Sequence, residues 1–394
     1  MARKLDELKM LEAAYLRSQG KDQNAIAERL KISQSKVSHY ISDAREHGIL
    51  EFRFVDDRVP PEQLARVKAK LRSEPLEQML ARIGPSRPGL RTPALHVYPC
   101  RSRITSDMAW KHRIERFAGD CAEDLLKVLD SASVIGVAWG VMIANAVDAM
   151  RTSRRTNLRS KQTVIPLLGE PLGRPITQHS SSVLASNLAE ILDPDCTPGK
   201  TLSLGPVPAF IPADMTRAET KAIHKLIRRM TAYREIYGAE ESAVDGEEKS
   251  VPWIERVDAI LTSVSNQERP LGFDDDGLIR ATGIRRQRLN DLVIGDLCGV
   301  VIPRPNLDRQ SRAEIDSIMS QWTGVRVEHL EKCAARARNG DPDGAPGVIV
   351  LAIGANKAPV VHEALRRGLI QHLFMDEDLA DRLGEICVQK SRDA

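Results

Sequence analysis

The chain has 394 residues, and 57 Lys and Arg against 54 Asp and Glu give a formal charge of only +3. That near-balance excludes a uniformly basic nucleic-acid coat and an acidic solvating tail, while 42% hydrophobic residues is too many for a disordered chain. The length suggests two or three domains. No apolar run approaches the about 20 residues of a membrane-spanning helix, and the charged N-terminus lacks the apolar core of a signal peptide. The six cysteines lie far apart without a CxxC pair, so we expect a cytoplasmic protein with no metal site and no cofactor.

The first 55 residues predict three short helices followed by a strand. In the first helix, over 5–18, apolar residues recur at three- and four-residue steps, at Leu5, Leu8, Leu11 and Tyr15. Gly20 ends this helix, and a second one covers 23–30. A third helix begins after Ser33, which stands where an N-cap is expected. The alternation over 49–54 predicts a strand.

The short turn between the second and third helices predicts that they cross at a steep angle. Their inward apolar side chains would then close one core with the first helix, through Ile26, Leu30, Ile32, Val37 and Ile41. The outer face of the third helix would carry Ser33, Gln34, Ser35, Lys36, Ser38, His39 and Tyr40. Because such side chains bind base edges and phosphates, the pattern predicts a winged helix-turn-helix that binds DNA. A helical packing unit with a solvated polar face is the alternative, and Lys31 counts against the motif, since a left-handed turn costs a lysine about 1 kcal/mol.

Beyond the first unit, strands alternate with helices. Pro60 and Pro61 open a helix to about Leu80, and 84–93 is a linker rich in Gly, Pro, Ser and Arg. The predicted strands cover 134–139, 164–168, 257–264, 348–353 and 369–374. The predicted helices cover 118–129, 141–150, 181–192, 359–367 and 377–383. This alternation predicts an α/β domain with a largely parallel sheet flanked by helices, added to a small all-α winged helix-turn-helix domain.

Two predicted strands run directly into turns that contain Gly140 and Gly354. Ligands of open parallel sheets bind beyond the carboxyl ends of the strands, and backbone N–H groups at a helix N-terminus favour phosphate. Lys357 stands just before Pro359, which suits the first turn of a helix. A lysine there faces the positive end of the helix dipole, which is unfavourable unless an anion lies between them. The pattern therefore predicts an anionic ligand, and a lysine extended into water is the alternative.

Other polar residues near predicted strand ends are weaker candidates. His179 and the serines at 180–182 predict either contacts to a sugar or a cap for the next helix. Asp296 lines the crevice or caps a turn, and Asp376 is the predicted N-cap of the last helix, though its place at a strand end keeps it as a site candidate. The acidic segment 274–277 lacks the later Glu of a calcium loop and predicts a solvated turn.

Several short motifs follow one another along nearly the whole chain. The N-terminal ones run over 22–38 and 44–50. The later ones are Gly136-Val137-Ala138-Trp139-Gly140, 164–169, 295–299, 354–357 with 363–368, and Asp376-Glu377. In this order they resemble the SorC family of bacterial sugar-responsive transcriptional regulators. The resemblance implies an effector domain similar in fold to ribose-phosphate isomerases and glucosamine-phosphate deaminases, a phosphorylated sugar as inducer, and a homo-oligomer, dimer or tetramer, bound to double-stranded operator DNA.

The resemblance and the crevice argument together place a candidate effector site. Its residues are Gly136, Ala138, Trp139, Gly140, His179, Asp296, Gly354, Ala355, Asn356, Lys357 and Asp376. We divide the chain into a winged helix-turn-helix domain over 1–56, a connecting helix and linker over 57–89, and an effector-binding and oligomerisation domain over 90–394.

Three positions depart from the family pattern. Met142 and Met375 stand where hydroxyl residues are usual, and Ile353 replaces the first glycine of a pair. A phosphate would therefore bind differently, weakly or not at all, and a regulator that no longer binds an effector is one alternative. A sugar-phosphate isomerase or deaminase with an appended DNA-binding domain is another, for which Asp296, Asp376 and Glu377 are candidate carboxylates, although no paired acid and base is evident.

Overall fold

A computed structural model describes residues 2–50, 92–100, 107–153, 162–170, 178–193, 202–238, 251–268, 270–337 and 344–393. Within these ranges the chain forms two compact units. The first contains 2–50, 100 and 107–117, and the second contains 92–99 and the residues from 118 onward. The predicted helix after Pro60, residues 51–54 of the predicted wing and most of the linker lie outside the described residues. No helix in the described ranges is long and apolar enough to cross a membrane.

Three helices at the N-terminus build the first unit. They are α1, Ala2–Ser18; α2, Gln23–Leu30; and α3, Gln34–Glu46. Asp22 caps α2 by accepting the Ala25 N–H at 2.9 Å, and Ser33 caps α3 by accepting the Lys36 N–H at 3.2 Å. Unpaired N–H groups at a helix start need such acceptors, so these two residues set where the helices begin. The three predicted helices are confirmed.

The apolar face assigned to α1 is wrong. The helix buries Met10, Ala13 and Ala14, whereas Leu8 is 53% exposed and Tyr15 is 66% exposed; Leu11 is also on the exposed side. Alanines allow helix backbones to approach closely, and α1 packs on α3 through this small-residue face. A pattern that weighs large side chains above small ones therefore selects the wrong side of the helix.

The second unit is built on an eight-stranded sheet. Its strands are β1, Ala94–Tyr98; β2, Val134–Val137; β3, Thr163–Pro166; β4, Ala259–Ser265; β5, Val293–Leu297; β6, Val300–Pro303; β7, Gly347–Ala352; and β8, His372–Asp376. Six strands run parallel in the order β1-β8-β7-β4-β2-β3. The predicted parallel sheet is confirmed, and its central strands are fully buried, as in sheets covered on both faces.

Helices follow most of the strands. They are α4, Asp107–Leu129; α5, Val141–Thr152; α6, Ser181–Leu192; α7, Arg217–Ile227; α8, Thr231–Tyr237; α9, Asp275–Thr282; α10, Arg286–Leu292; α11, Arg309–Ser320; α12, Val327–Arg336; α13, Ala358–Arg366; and α14, Glu377–Asp393. Short 3-10 turns cover Trp253–Glu255, Pro270–Gly272 and Ala355–Lys357. The segment 274–277 is not a solvated turn, because Asp274 accepts the Gly277 N–H at 2.8 Å and caps α9.

A two-stranded hairpin, β5–β6, extends the sheet from the end of β4 in antiparallel fashion. Its turn places Cys298 at φ 56° and Gly299 at φ 73°, the left-handed pair that tight hairpins favour. A side chain at Gly299 would lie 2.3 Å from the ring of Trp322. Glycine is therefore required both by the turn and by the close approach of the indole. The hairpin carries Asp296 to the carboxyl end of β4, opposite Ser265.

Candidate functional site

The turn between α2 and α3 is tight and left-handed. Lys31 adopts φ 51° and ψ 50°, and its N–H points to the carbonyls of Ala27 and Glu28. The Ile32 N–H returns to the Ala27 carbonyl at 3.1 Å. These bonds close the end of α2 and direct the chain immediately into α3, as a helix-turn-helix requires. The left-handed backbone that was expected to be unfavourable for a lysine is therefore present at Lys31.

The outer face of α3 is polar and exposed. Its exposed side chains are Ser33, Gln34, Ser35, Lys36, Ser38 and His39. The imidazole of His39 lies 3.4 Å from the Asp43 carboxylate, one turn further along the helix. These six side chains are accessible on α3, and their DNA-binding roles stay predictions.

Tyr40 does not belong to that face. It is only 4% exposed and packs in the core of the first unit with Ile26, Val37 and Ile41. The reason is helical period: Tyr40 follows Val37 by three residues and so shares its inward side. The Lys36 ammonium lies 5.5 Å from the Tyr40 ring centroid, within the range of a cation–π contact.

Gln23 is a surface residue that the sequence argument missed. Its Oε1 accepts a hydrogen bond from the Gln34 Nε2 at 2.8 Å. The two glutamines are the first residues of α2 and α3, directly after the capping residues. The sequence did contain a signal, because a glutamine directly follows the N-cap residue of each helix. That signal indicates a contact only when the turn is known to bring the two helix starts together.

The second candidate site lies at the carboxyl edge of the parallel strands. Gly140 follows β2, has φ 124° and begins α5, and its N–H donates to the His179 carbonyl at 3.0 Å. Gly136 lies inside β2, where a side chain would come within 2.8 Å of Leu167, and Ala138 is buried beside the sheet. Gly136 and Ala138 therefore serve packing, whereas Gly140 lies beyond the strand and begins the next helix.

Trp139 contributes to an aromatic cluster at this edge. Its ring meets those of Phe273 and Trp322 edge-on, with centroids 6.2 and 6.1 Å away. Phe210 completes the cluster against Trp322 at 4.7 Å. Trp139 is partly buried and packs against the core, so this predicted site residue has a packing role.

The turn after β7 carries the predicted Gly354–Lys357 segment. Gly354 has φ 91°, and its N–H donates to both oxygens of the Asp376 carboxylate at 3.1 Å. Ala355 and Asn356 are exposed, and the Asn356 amide donates to the Glu268 carboxylate at 3.1 and 3.2 Å. Lys357 turns back toward the sheet, where its Nζ donates to the Val264 carbonyl at 2.8 Å. The alternative of a lysine extended into water is wrong.

Lys357 and Asp296 form the charged centre of this edge. Burial lowers the pKa of Lys357, and the carboxylates of Asp296 and Glu268 oppose that shift. Burial raises the pKa of Asp296. Hydrogen bonds from the Leu271 N–H at 2.8 Å and the Gly299 N–H at 3.2 Å oppose that rise. Asp296 thus caps the hairpin turn and also faces the lysine, so both roles proposed for it are compatible with its position.

Asp376 and the serines act mainly in the framework. Asp376 is fully buried and accepts the Leu379 N–H at 3.0 Å, which confirms it as the cap of α14. Ser180 caps α6, accepting the Val183 N–H at 3.2 Å. Ser181 accepts from the Leu167 and Leu168 N–H groups and donates to the Val137 carbonyl, and Ser182 accepts from Leu204. The capping interpretation is confirmed for Ser180, and His179 lies partly buried just before it.

Glu170, which lies after β3 and pairs with Pro208, is a second residue that sequence reasoning missed. Burial raises its pKa, and a hydrogen bond with the Ser180 side chain opposes the shift. Its Oε1 is buried without a hydrogen-bond partner among the described residues. The carboxyl group therefore lies near the start of α6 with spare accepting capacity.

Solved structures provide the comparison. The full-length sorbitol operon regulator SorC from Klebsiella pneumoniae is 17% identical, with a TM-score of 0.52, and the alignment covers 97% of this chain and 99% of that one. A DeoR family transcriptional regulator from Listeria monocytogenes is 18% identical over 78% of this chain and 98% of its own, with a TM-score of 0.52. A transcriptional regulator from Streptococcus pneumoniae gives 14% identity, 79% and 95% coverage and a TM-score of 0.51.

At the level of sequence, no family model matches the chain and no curated protein matches it. The likeness is therefore one of fold. It extends over nearly the full length of both chains. The resemblance predicted from the motifs is confirmed at that level: the chain has the fold of SorC-type transcriptional regulators.

Proposed function

We propose that the protein is a transcriptional regulator that binds operator DNA through α3 and adjusts its affinity in response to a phosphorylated sugar or polyol. The observation that carries this proposal is the exposed polar start of α3, behind a tight left-handed turn, on a chain whose fold matches SorC from end to end. SorC is itself a sorbitol operon regulator. By that likeness we further propose control of a carbohydrate-related operon.

The effector site of the proposal is the carboxyl edge around Lys357. A buried ammonium gains most from an anion, because water does not solvate it well there. Asp296 already stabilises part of that charge, so the ligand anion would share or replace its interaction with Lys357. Glu170 and Asn356 can accept from and donate to hydroxyl groups, as a sugar or polyol would require.

We also propose that the protein acts as a symmetric homo-oligomer. A single small helix-turn-helix contacts few base pairs, and dimers gain specificity by engaging two half-sites. Light scattering should then give a dimer or tetramer at micromolar concentration. A monomer that binds one specific site tightly would contradict this part of the proposal.

The absence of catalysis is part of the same proposal. In both Asp296 and Asp376 each carboxylate oxygen already accepts a backbone N–H group, so few lone pairs remain to accept a substrate proton. A general base needs a free lone pair within reach of the substrate proton. A turnover assay with a panel of sugar phosphates tests the isomerase alternative, and any multiple-turnover product would favour it.

The regulator proposal is tested by selecting bound sequences from a random duplex library with the full-length protein. We expect enrichment of a two-fold symmetric sequence, and release of that DNA by one or more members of a sugar-phosphate panel. A variant with Ser35→Ala and Lys36→Ala should lose enrichment while retaining its circular dichroism. Failure of the wild-type protein to enrich any sequence would contradict the DNA-binding function, and enrichment that no phosphate affects would favour the regulator without an effector.

A further inference from the structure

We propose that Gln23 is a positioning residue for base recognition, which holds the amide of Gln34 in the orientation that selects adenine. The inference rests on the proposed function, because it requires that α3 enters the major groove. It adds a residue of α2 to a recognition surface that the sequence placed on α3 alone.

The geometry that supports it is a direct contact between the two amides. The Gln34 Nε2 donates to the Gln23 Oε1 at 2.8 Å. Gln34 is exposed and Gln23 is partly buried, so the supporting residue is the more enclosed of the two. Asp22 and Ser33 cap the helices immediately before them, and Lys31 fixes the turn between. The backbone positions of both glutamines are therefore set by neighbouring contacts.

The contact leaves Gln34 with the groups that adenine requires. A side-chain amide nitrogen carries two hydrogens, and its oxygen accepts. One of the Gln34 amide hydrogens is donated to Gln23, so the second hydrogen and the Gln34 Oε1 remain available to a base. In the major groove, adenine offers an N7 acceptor and an N6 donor side by side, which match these two groups.

The same contact discriminates against guanine. Guanine presents two acceptors in the major groove, N7 and O6. A freely rotating amide can turn its nitrogen toward O6, but an amide held by Gln23 keeps its oxygen there, and two acceptors would then face each other. Because the side chain is already fixed before binding, the entropy cost of ordering Gln34 on the DNA is also smaller.

A purely structural role for the pair must be separated from positioning. An exposed hydrogen bond between neutral groups adds little to folding stability, so thermal unfolding alone does not discriminate. Base preference does, because a contact that only joins α2 to α3 would change affinity for all sequences together. The required readout is therefore the preference at one base pair, measured apart from overall affinity.

The experiment uses full-length protein and a random-sequence duplex library. Bound DNA is sequenced, and labelled duplexes with the enriched sequence and its single-base replacements are then titrated by fluorescence anisotropy. We expect Gln34→Ala to remove about tenfold or more of the preference for adenine at one position. Gln23→Ala should remove about three- to tenfold of the same preference, at the same position, and should add nothing in a Gln34→Ala background.

Two charged variants make the test specific. Gln23→Glu keeps an oxygen that accepts from Gln34, so it should keep the adenine preference while a carboxylate near the phosphates lowers affinity for every sequence. Gln23→Lys removes the acceptor and adds a positive charge, so it should lose the preference while overall affinity holds or rises. Asn24→Ala, which removes the neighbouring amide of α2, is the matched control and should leave the preference unchanged.

The outcomes separate the inference from the function. If wild-type protein enriches no sequence, the regulator proposal fails and the inference fails with it. If wild type enriches a sequence and Gln34→Ala relaxes one position, but Gln23→Ala keeps that preference, only the inference is wrong. If the adenine preference rises and falls with overall affinity in Gln23→Glu and Gln23→Lys, the inference is also wrong.

Discussion

Replacing Lys357 by Met tests the effector site most directly. The substitution keeps a long side chain but removes the ammonium that donates to the Val264 carbonyl at 2.8 Å and faces Asp296. A charge-assisted contact to a ligand contributes about 1.5–3 kcal/mol, which corresponds to roughly a ten- to hundredfold rise in Kd. The loss should lie toward the upper end, because the Asp296 carboxylate would then face the ligand anion without a cation between them.

The pH dependence of binding gives an independent check on the same lysine. Burial lowers the pKa of Lys357, whereas a bound anion favours its charged form. Below the lowered pKa the lysine is already protonated, and affinity is constant. Above that pKa, binding must take up a proton, so affinity should fall by up to about tenfold per pH unit. The Lys357→Met protein should lack this dependence.

Isothermal titration calorimetry with sugar phosphates measures both effects. Buffers of different ionisation enthalpy report proton uptake by wild-type protein, which should appear only as the pH rises above the lowered pKa of Lys357. Lys332→Met is the matched control, since Lys332 is a surface lysine of α12 ion-paired with Glu255 at 2.6 Å. Unchanged Kd in Lys357→Met, for a phosphate that does bind, would refute the placement of the anion beside this lysine.

Three further substitutions test the helix surface and the packing of the sheet domain. Lys36→Ala should weaken binding to specific and random duplexes alike and reduce the salt slope by about one, as anisotropy across a salt series will report. Glu363→Gln should lower the free energy of unfolding by about 2 kcal/mol in urea titrations, since the buried carboxylate accepts from two arginines. Burial raises the pKa of the Glu363 carboxyl, but the arginine hydrogen bonds outweigh burial and the pKa is lowered overall. A lowered pKa contributes stability that is lost as the pH falls through it, so the effect of the substitution should shrink in acid. Gly299→Ala should cost about 3 kcal/mol through left-handed strain and contact with Trp322, whereas Gly119→Ala, in open space on α4, should stabilise; equal melting temperatures for the two would contradict this packing argument.

The helix-turn-helix and the parallel sheet could be predicted from the sequence because each depends on local signals. The side chains of Asp22 and Ser33 start the helices that follow them, and the apolar runs at 134–137 and 348–352 form buried strands. Such signals do not depend on which partner an element packs against. The helix boundaries of α2 and α6 were accordingly predicted to the residue.

Features that depend on packing partners could not be predicted. The buried side of α1 is set by the close approach of α3, which favours Ala13 and Ala14 over larger neighbours. The β5–β6 hairpin is specified by Trp322, far along the chain, as much as by its own turn. The Gln23–Gln34 and Lys357–Val264 contacts likewise join residues whose proximity follows only from the assembled fold.

The contacts at the carboxyl edge explain why the effector argument rests on one charge. The Gly140 N–H already donates to the His179 carbonyl, and the Gly354 N–H already donates to Asp376, so both glycine turns use within the protein the donors that a phosphate would seek. Side chains do not replace them, since Ile353 is buried and an apolar methionine stands at 142. Lys357 brings a positive charge to this edge, and its Nζ also has an internal partner. In the proposed function an anion would therefore exchange protein–protein hydrogen bonds for protein–ligand ones, and we expect its binding to shift β4, β7 and the hairpin that carries Asp296.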